Sequence, residues 1–168
     1  MWLLYRKLLT NAWSERKQKV ITGVRHTGVV VTNMEKALTF YRGLLGLKVA
    51  KDLSDEGEYI DSILGLSGVR VRMVKLTAAD GSTVELLQYL SHPRKARDKS
   101  QICDIGCSHI AFAVDNIDKE YARLLKSGVR FNCPPYVSPD GYARVTFCHD
   151  HDGTSIELVE VLNQDRST

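Results

Sequence analysis

The chain has 168 residues, of which 43% are hydrophobic and 26% are charged, and its formal net charge at pH 7 is +3. These values are typical of a soluble globular sequence that forms one domain or two small modules sharing a core. The small net charge and the lack of an RNA- or DNA-reading motif argue against nucleic-acid binding, and the apolar runs are too short to span a membrane. The four cysteines have no Cys-x-x-Cys spacing, which fits a reducing compartment and predicts a cytoplasmic protein.

Residues 1–20 differ in composition from the rest of the chain. They are rich in Lys and Arg, and their large apolar side chains fall near one helical face, at Trp2, Tyr5, Leu9 and Trp13. We predict an N-terminal helix that packs on the body of the protein or on a partner subunit, because two Trp rings have large apolar area to bury. A basic targeting peptide and weak binding to an anionic membrane surface are the alternatives.

The rest of the chain contains an internal repeat. The stretch HTGVVVTNMEKALTFYRGLLGLKV, which starts at His26, aligns with HIAFAVDNIDKEYARLLKSGVRF, which starts at His109. In each copy the His is followed by an apolar-rich strand, and an Asn comes seven residues later, at Asn33 or Asn116. Each Asn suits a helix N-cap, because its short side chain can accept from the first free backbone amides. An internal repeat of this kind predicts two similar modules.

Each copy reads as a strand, a helix and then two or three further strands. The last strand of each copy carries one glutamate, Glu85 in STVELLQYL and Glu157 in TSIELVEVL. We therefore predict a first module over residues 21–90 and a second over residues 103–163, joined by the polar and basic linker 91–102.

Two histidines and two glutamates occupy equivalent positions in the repeat, although their neighbours in the strands are apolar: His26, Glu85, His109 and Glu157. A buried carboxylate is costly unless it is paired or bound to a metal. The four groups would converge on one point if the copies pack about a pseudo-twofold axis. Imidazole and carboxylate together suit a borderline divalent ion such as Zn, Ni, Co, Mn or Fe. The alternative for each residue taken alone is a polar group satisfied by its neighbours.

The chain resembles the vicinal oxygen chelate superfamily, which includes glyoxalase I, extradiol dioxygenases and bleomycin-resistance proteins. The resemblance covers residues 23–162 and rests on His26 in the first strand and on the motifs NMEKALTFYRGLLGLKV, TVELLQYL, SHIAFAVDNID and CHDHDGTSIELVEVL. It implies an α+β fold of two βαββ modules related by a pseudo-twofold axis, whose curved mixed sheets enclose a metal site. Carried over by residue, the implied metal ligands are those used in glyoxalase I: His26, Glu85, His109 and Glu157.

The resemblance also implies a chemistry. One divalent ion per site would chelate two adjacent oxygens of a small-molecule substrate. A carboxylate beside the ion, with Glu157 as first choice and Glu85 as its partner, would move a proton alpha to the chelated carbonyl through an enediolate. The protein is thus expected to be a lyase or isomerase of the glyoxalase I type.

Other members of the superfamily remain alternatives: a methylmalonyl-CoA-epimerase-like enzyme, an extradiol dioxygenase, and a small-molecule-binding resistance protein. Glu85 replaces the Gln expected of an epimerase and fills a position that dioxygenases leave open. Four intact ligands argue against a metal-free binding protein. The sequence does not identify the substrate, because its determinants lie in scattered loop residues.

Three arginines are further candidates for binding an anionic substrate group: Arg70, Arg72 and Arg144. A solvated sheet edge or a salt bridge is the alternative for each. The HDHDG stretch at 149–153 reads as a hairpin turn rather than a second metal cluster. A chain with only two modules and an apolar N-terminal helix is expected to form a homodimer, with modules from two chains able to complete each site as in glyoxalase I.

Overall fold

A computed structural model of the protein describes residues 23–93, 101–106 and 109–162. The predicted N-terminal helix of residues 1–20 lies outside the described residues, as do residues 94–100 of the predicted linker. Within the described ranges, no helix is both long enough and apolar enough to cross a membrane.

Between residues 23 and 93, the first module contains four strands and two α-helices. Its elements are strand β1 (Thr27–Val30), helix α1 (Met34–Leu38), strand β2 (Lys48–Glu56), helix α2 (Glu58–Leu64), strand β3 (Arg70–Thr77) and strand β4 (Thr83–Tyr89). Helix α1 continues directly into a π-helical turn over Thr39–Leu44. The sheet has the order β1-β4-β3-β2. Strand β1 runs parallel to β4, and the other neighbours are antiparallel.

The second module repeats this plan. Its elements are strand β5 (His109–Ala113), helix α3 (Ile117–Lys126), and strands β6 (Arg130–Phe131), β7 (Tyr136–Val137), β8 (Ala143–His149) and β9 (Ser155–Val161). The strand order is β5-β9-β8-β6, with β7 also paired to β8. Again the first strand is parallel to the last. The predicted α+β fold of two repeated modules is confirmed, and both modules carry at least three strands after the first helix rather than the two of a βαββ unit.

The same side-chain contacts hold the first helix of each module against its sheet. The predicted N-caps form: Asn33 accepts from the amide of Lys36 at 3.0 Å, and Asn116 accepts from that of Lys119 at 2.9 Å. The last strand supplies an acceptor for the first amide of each helix. Gln88 Oε1 accepts from Met34 N at 3.1 Å, and Glu160 Oε2 accepts from Ile117 N at 2.9 Å. These contacts fix the helix entry relative to the last strand in both copies.

One hydrophobic core runs through both modules. It is built from the helix-bearing face of each sheet, which includes Val74, Leu86, Ile156 and Leu158, together with side chains of α1 and α3. Side chains alternate across a strand, so Glu85 and Glu157 lie on the opposite face of their sheets. We call this second face of each sheet its inner face. The inner faces therefore point away from the shared core.

The inner faces are only partly covered in the single chain. Helix α2 covers one end of the first inner face, where Ile60 packs in a small cluster with Leu87 and Tyr89. Near the histidines the faces stay open: Val30 is 54% exposed, and Ala111 is also exposed. The site strands are therefore buried on the helix-bearing face but not on the open part of the inner face.

Candidate metal centre

The first His–Glu pair lies at the start of strand β1. His26 precedes the strand by one residue, and the register sets Gly28 directly beside Glu85 of β4. A Cβ atom at Gly28 would lie 3.4 Å from Cδ1 of Leu87. The Nε2 atom of His26 is 3.1 Å from Oε2 of Glu85, with the side chains 35% and 10% exposed. A short strand paired in parallel with the last strand therefore brings together residues 59 positions apart.

The second pair repeats this geometry. His109 opens β5, and the small residue Ala111 lies beside Glu157 of β9, as Gly28 lies beside Glu85. The Nε2 atom of His109 is 3.3 Å from Oε2 of Glu157. The ring of Phe147 contacts the His109 ring edge-on, with the centroids 5.4 Å apart. The two His–Glu contacts thus form at equivalent positions of the repeat.

These separations suit ligands of a divalent ion. Two ligand atoms about 2.1 Å from one ion, at right angles to each other, are about 3.0 Å apart. The His–Glu separations of 3.1 and 3.3 Å are close to that value. One imidazole and one carboxylate make only half of a four-ligand site. Each pair is therefore a candidate half-site, and we name them the first half-site (His26 and Glu85) and the second half-site (His109 and Glu157).

The structure does not bring the two half-sites together within one chain. In the described ranges no group of three or more His, Cys, Asp or Glu side chains is placed to hold one ion. The reason is the packing of the modules, which share the core on their helix-bearing faces and leave the inner faces pointing away from it. Joining the half-sites therefore needs a second chain or a different packing of the modules.

Lys75 is a site residue that the sequence analysis missed. It lies in β3 directly opposite Glu85, and its Nζ atom is 3.2 Å from Glu85 Oε1. Both oxygens of Glu85 are thus engaged, one by His26 and the other by Lys75. The residue in the equivalent position of the second module is Phe147, opposite Glu157. The two half-sites therefore differ in charge although their histidines and glutamates match.

The three predicted substrate-binding arginines lie on the helix-bearing face rather than on the inner face. Arg70 and Arg72 are an odd number of residues from Lys75, and Arg144 is three residues from Phe147. Because side chains alternate along a strand, the arginines lie on the face of the sheet that does not carry the half-sites. The structure therefore does not bring these arginines to the predicted metal ligands.

Two of these arginines bind acidic side chains. Arg72 binds Glu35 and Asp52, and it holds the pKa of Asp52 below its usual range. Arg144 binds Asp118 at 2.5 Å and lowers the pKa of that carboxyl group. Glu35 and Asp118 are equivalent first-turn residues of α1 and α3. The Arg72–Glu35 and Arg144–Asp118 ion pairs are therefore the same structural contact in the two modules.

The HDHDG stretch forms a turn of the second module that contacts the first module. Asp150 is 4% exposed and accepts from the hydroxyl of Tyr41 at 3.0 Å and from the backbone of its own turn. Asp152 accepts from the backbone amide and the hydroxyl of Thr32. Burial, with the Asp150 charge beside it, raises the pKa of Tyr41 well above its usual value. The turn thus docks the second module on the first.

A family model described as the Glyoxalase/Bleomycin resistance protein/Dioxygenase superfamily matches residues 23–158 of the chain. The chain therefore belongs to this superfamily, and the resemblance found in the sequence is confirmed at that level. The particular closeness to glyoxalase I stays a prediction.

Individual relatives agree with this assignment. The uncharacterised protein YwbC of Bacillus subtilis is 29% identical over 140 residues, which cover 82% of this chain and 96% of that protein. A glyoxalase family protein from Bacillus cereus has the same fold, with a TM-score of 0.78 at 24% identity over 88% of this chain and 99% of that one. The fosfomycin resistance protein FosX from Listeria monocytogenes, solved with Mn(II) and sulfate, matches with a TM-score of 0.58 at 16% identity over 89% of this chain and 100% of that one. At such identities the solved structures show the fold alone.

Proposed function

We propose that the protein is a divalent-metal-dependent lyase or isomerase that moves a proton next to a carbonyl of a small substrate with two adjacent oxygens. The observation that carries the proposal is the pair of equivalent His–Glu contacts on the two inner faces. Membership of a superfamily that contains such enzymes supports it. The Mn(II) bound by FosX supports a metal at this fold.

The proposed metal ligands are His26, Glu85, His109 and Glu157. Two imidazoles and two carboxylates suit Zn, Ni, Co, Mn or Fe and leave up to two positions of an octahedron for substrate oxygens. When bound, the ion would polarise those oxygens and acidify the carbon next to the carbonyl. The chain's own groups must then hold and move the proton.

Glu157 is the proposed base. Both oxygens of Glu85 are engaged, by His26 and Lys75, whereas Glu157 contacts His109 through Oε2 and has the uncharged Phe147 opposite it. Glu157 can therefore accept the proton from the substrate carbon and return it to the neighbouring position. Glu85, held by a lysine, acts as a fixed anionic partner across the site.

We further propose that the protein is a homodimer in which the first half-site of one chain faces the second half-site of the other. The open inner faces support this arrangement, because each exposes apolar area beside an incomplete ligand set. A C2 dimer would form two such sites by symmetry.

The metal and the reaction are tested together. Protein purified without added metal is reconstituted separately with Zn, Ni, Co, Mn and Fe(II), and bound metal is counted. Each form is then offered 2-oxo and 2-hydroxy substrates in deuterated water, and deuterium entering next to the carbonyl is measured. Oxygen consumption with Fe(II) and a catechol, without deuterium entry in any carbonyl substrate, would favour a dioxygenase instead.

Glu157→Gln separates the base from the metal site. The amide keeps an oxygen ligand but cannot accept a proton, so we expect deuterium exchange to fall at least about 100-fold while most metal is retained. Glu160→Gln is the matched control, because Glu160 is on the same strand but caps helix α3 on the other face. If Glu157→Gln left exchange unchanged, Glu157 would not be the base.

Mixing inactive subunits tests where the half-sites meet. A His26→Ala chain lacks the first half-site and a His109→Ala chain lacks the second. If the sites form between chains, mixed dimers regain one intact site, so random equal mixing should restore about a quarter of the wild-type metal sites and activity. If the sites form within one chain, the mixture stays inactive. A monomeric mass in sedimentation equilibrium at micromolar concentration would also contradict the dimer.

A further inference from the structure

A cleft with a volume of about 190 Å³ lies on the inner face of the first module, next to the first half-site. Three cations line it, Arg25, Lys51 and Lys75, together with His26 and the small or hydroxyl residues Ala50, Thr77 and Thr83. The lining residues in the described part of the chain include no carboxylate. The volume is below the roughly 300–1,000 Å³ typical of pockets that hold a whole drug-sized ligand. The cleft therefore fits one group of a substrate rather than all of it.

The positive charge of this cleft is not fully balanced by the protein. Lys51 and Lys75 are directly opposite each other in the antiparallel pair of β2 and β3. Like charges in that arrangement destabilise a sheet. Lys75 is compensated by Glu85 at 3.2 Å, but Lys51 and Arg25 have no ion-pair partner among the described residues. A further anion in the cleft would relieve this repulsion.

The second half-site has no comparable charge at the corresponding position. The cross-strand neighbour of Glu157 is Phe147, where the first module has Lys75. The first amide of the helix has an acceptor on the last strand in both modules, Gln88 in one and Glu160 in the other, so the fold repeats although the inner faces differ at this position. A substrate lying between the two half-sites would therefore meet cations on one side and an aromatic ring on the other.

We infer that the cleft lined by Arg25, Lys51 and Lys75 binds an oxyanion, either a carboxylate or a phosphate, that the substrate carries in addition to its two chelating oxygens. The inference rests on the proposed function, because the cleft is a substrate subsite only if His26, which lines it, is also a metal ligand. It adds a substrate class: a small 2-oxo or 2-hydroxy compound with an anionic group at one end and an apolar part towards Phe147.

The test uses the metal-free full-length protein, so that it does not depend on the reaction. Inorganic phosphate and acetate are titrated separately at constant ionic strength, and binding is followed by calorimetry and by amide chemical shifts. The two anions distinguish a phosphate subsite from a carboxylate subsite. Lys51→Gln and Arg25→Gln should each weaken the better anion by roughly three- to fivefold, the loss expected for one partly exposed charge. Lys126→Gln, which removes the same charge from helix α3, is the matched control and should leave affinity unchanged.

Three results would overturn the inference: no saturable binding of either anion, equal weakening by Lys126→Gln, or shifts that do not centre on the cleft. Counting metal and deuterium exchange in the same variants keeps the two proposals separate. Absence of both metal and exchange, together with phosphate or acetate binding that needs Lys51 and Arg25, would refute the proposed reaction and support the anion site. Normal metal and exchange with anion affinity unaffected by Lys51→Gln and Arg25→Gln would refute the anion site alone.

Discussion

The contact between Tyr41 and Asp150 should be the most costly single hydrogen bond to lose between the modules. Tyr41 is fully buried, and its hydroxyl donates to Oδ2 of Asp150, itself only 4% exposed, at 3.0 Å. Tyr41→Phe removes the hydroxyl, keeps the ring and leaves a buried carboxylate oxygen without this donor. A hydrogen bond to a charged group contributes about 1.5–3 kcal/mol, so we expect the free energy of unfolding to fall by about 2 kcal/mol.

A second hydroxyl–carboxylate contact between the same modules provides the comparison. Thr32 donates to Asp152 at 2.5 Å through its hydroxyl, but this contact is exposed to solvent. Thr32→Val should cost less than about 1 kcal/mol, because water replaces an exposed partner. Tyr59→Phe, at a tyrosine that is 68% exposed, controls for the loss of a phenol group and should change stability by less than about 0.5 kcal/mol.

Urea unfolding at pH 7, followed by far-UV circular dichroism, measures all three variants. The midpoint should shift for Tyr41→Phe while the slope with urea stays the same, because the surface exposed on unfolding hardly changes. Equal losses for Tyr41→Phe and Thr32→Val would refute the reasoning, since burial is the property that distinguishes them. A loss below about 0.5 kcal/mol for Tyr41→Phe would also refute it.

Two further predictions concern the same framework. Burial raises the pKa of Tyr41 above its usual 10.0, so above pH 10 the folded chain keeps a proton that the unfolded chain loses. The free energy of unfolding should then fall by about 1.4 kcal/mol per pH unit because of this residue. Urea titrations from pH 9 to 11 should therefore show a shallower fall in stability for Tyr41→Phe than for the unchanged protein. Gln88→Ala and Glu160→Ala each remove the acceptor for the first amide of a helix. Each should lower the free energy of unfolding, measured in urea, by about 1 kcal/mol. Losses below about 0.3 kcal/mol in both variants would show that water replaces these acceptors.

The repeat allowed the four candidate ligands to be selected from the sequence. His26 and His109 stand at the same distance from the helix caps Asn33 and Asn116, and the closing strands share the position of the glutamate. Equivalent positions in a repeated fold lie at equivalent places, and the sequence therefore predicted that all four groups converge on one point. Within one chain the structure instead brings them together as two pairs, at 3.1 and 3.3 Å.

The face of strand β3 could not be predicted, and this explains why Lys75 was missed. The strand has apolar residues on both faces, with Val71 and Met73 on one and Val74 and Leu76 on the other. Alternation then gives two sets of side chains but does not say which one is the inner face. The pairing of Lys75 with Glu85, which depends on the turn at 78–82, decides it. Arg70 and Arg72 were candidates because of their charge, but this register places them on the helix-bearing face.

The packing of the two modules against each other also could not be predicted from the spacing of apolar residues in the sequence. The π-helical turn brings Tyr41 into the shared core through a hydrogen bond from Leu45 N to Phe40 O at 2.9 Å. The residues of that turn continue the helical spacing of α1 and carry no signal for the wider hydrogen-bond pattern. Its buried tyrosine then meets a carboxylate 109 residues away. A contact at that distance depends on how the two finished modules meet.

Strands β1 and β5 each use only one of their two edges in the described part of the chain, since β1 pairs with β4 and β5 with β9. An unpaired strand edge without charged side chains, such as the Thr27–Val30 strand TGVV, is a template for pairing with other chains. A folded chain with these edges open would therefore be prone to pair with other chains through β1 and β5. Soluble yield should then depend on protein concentration as well as on the stability of the folded chain.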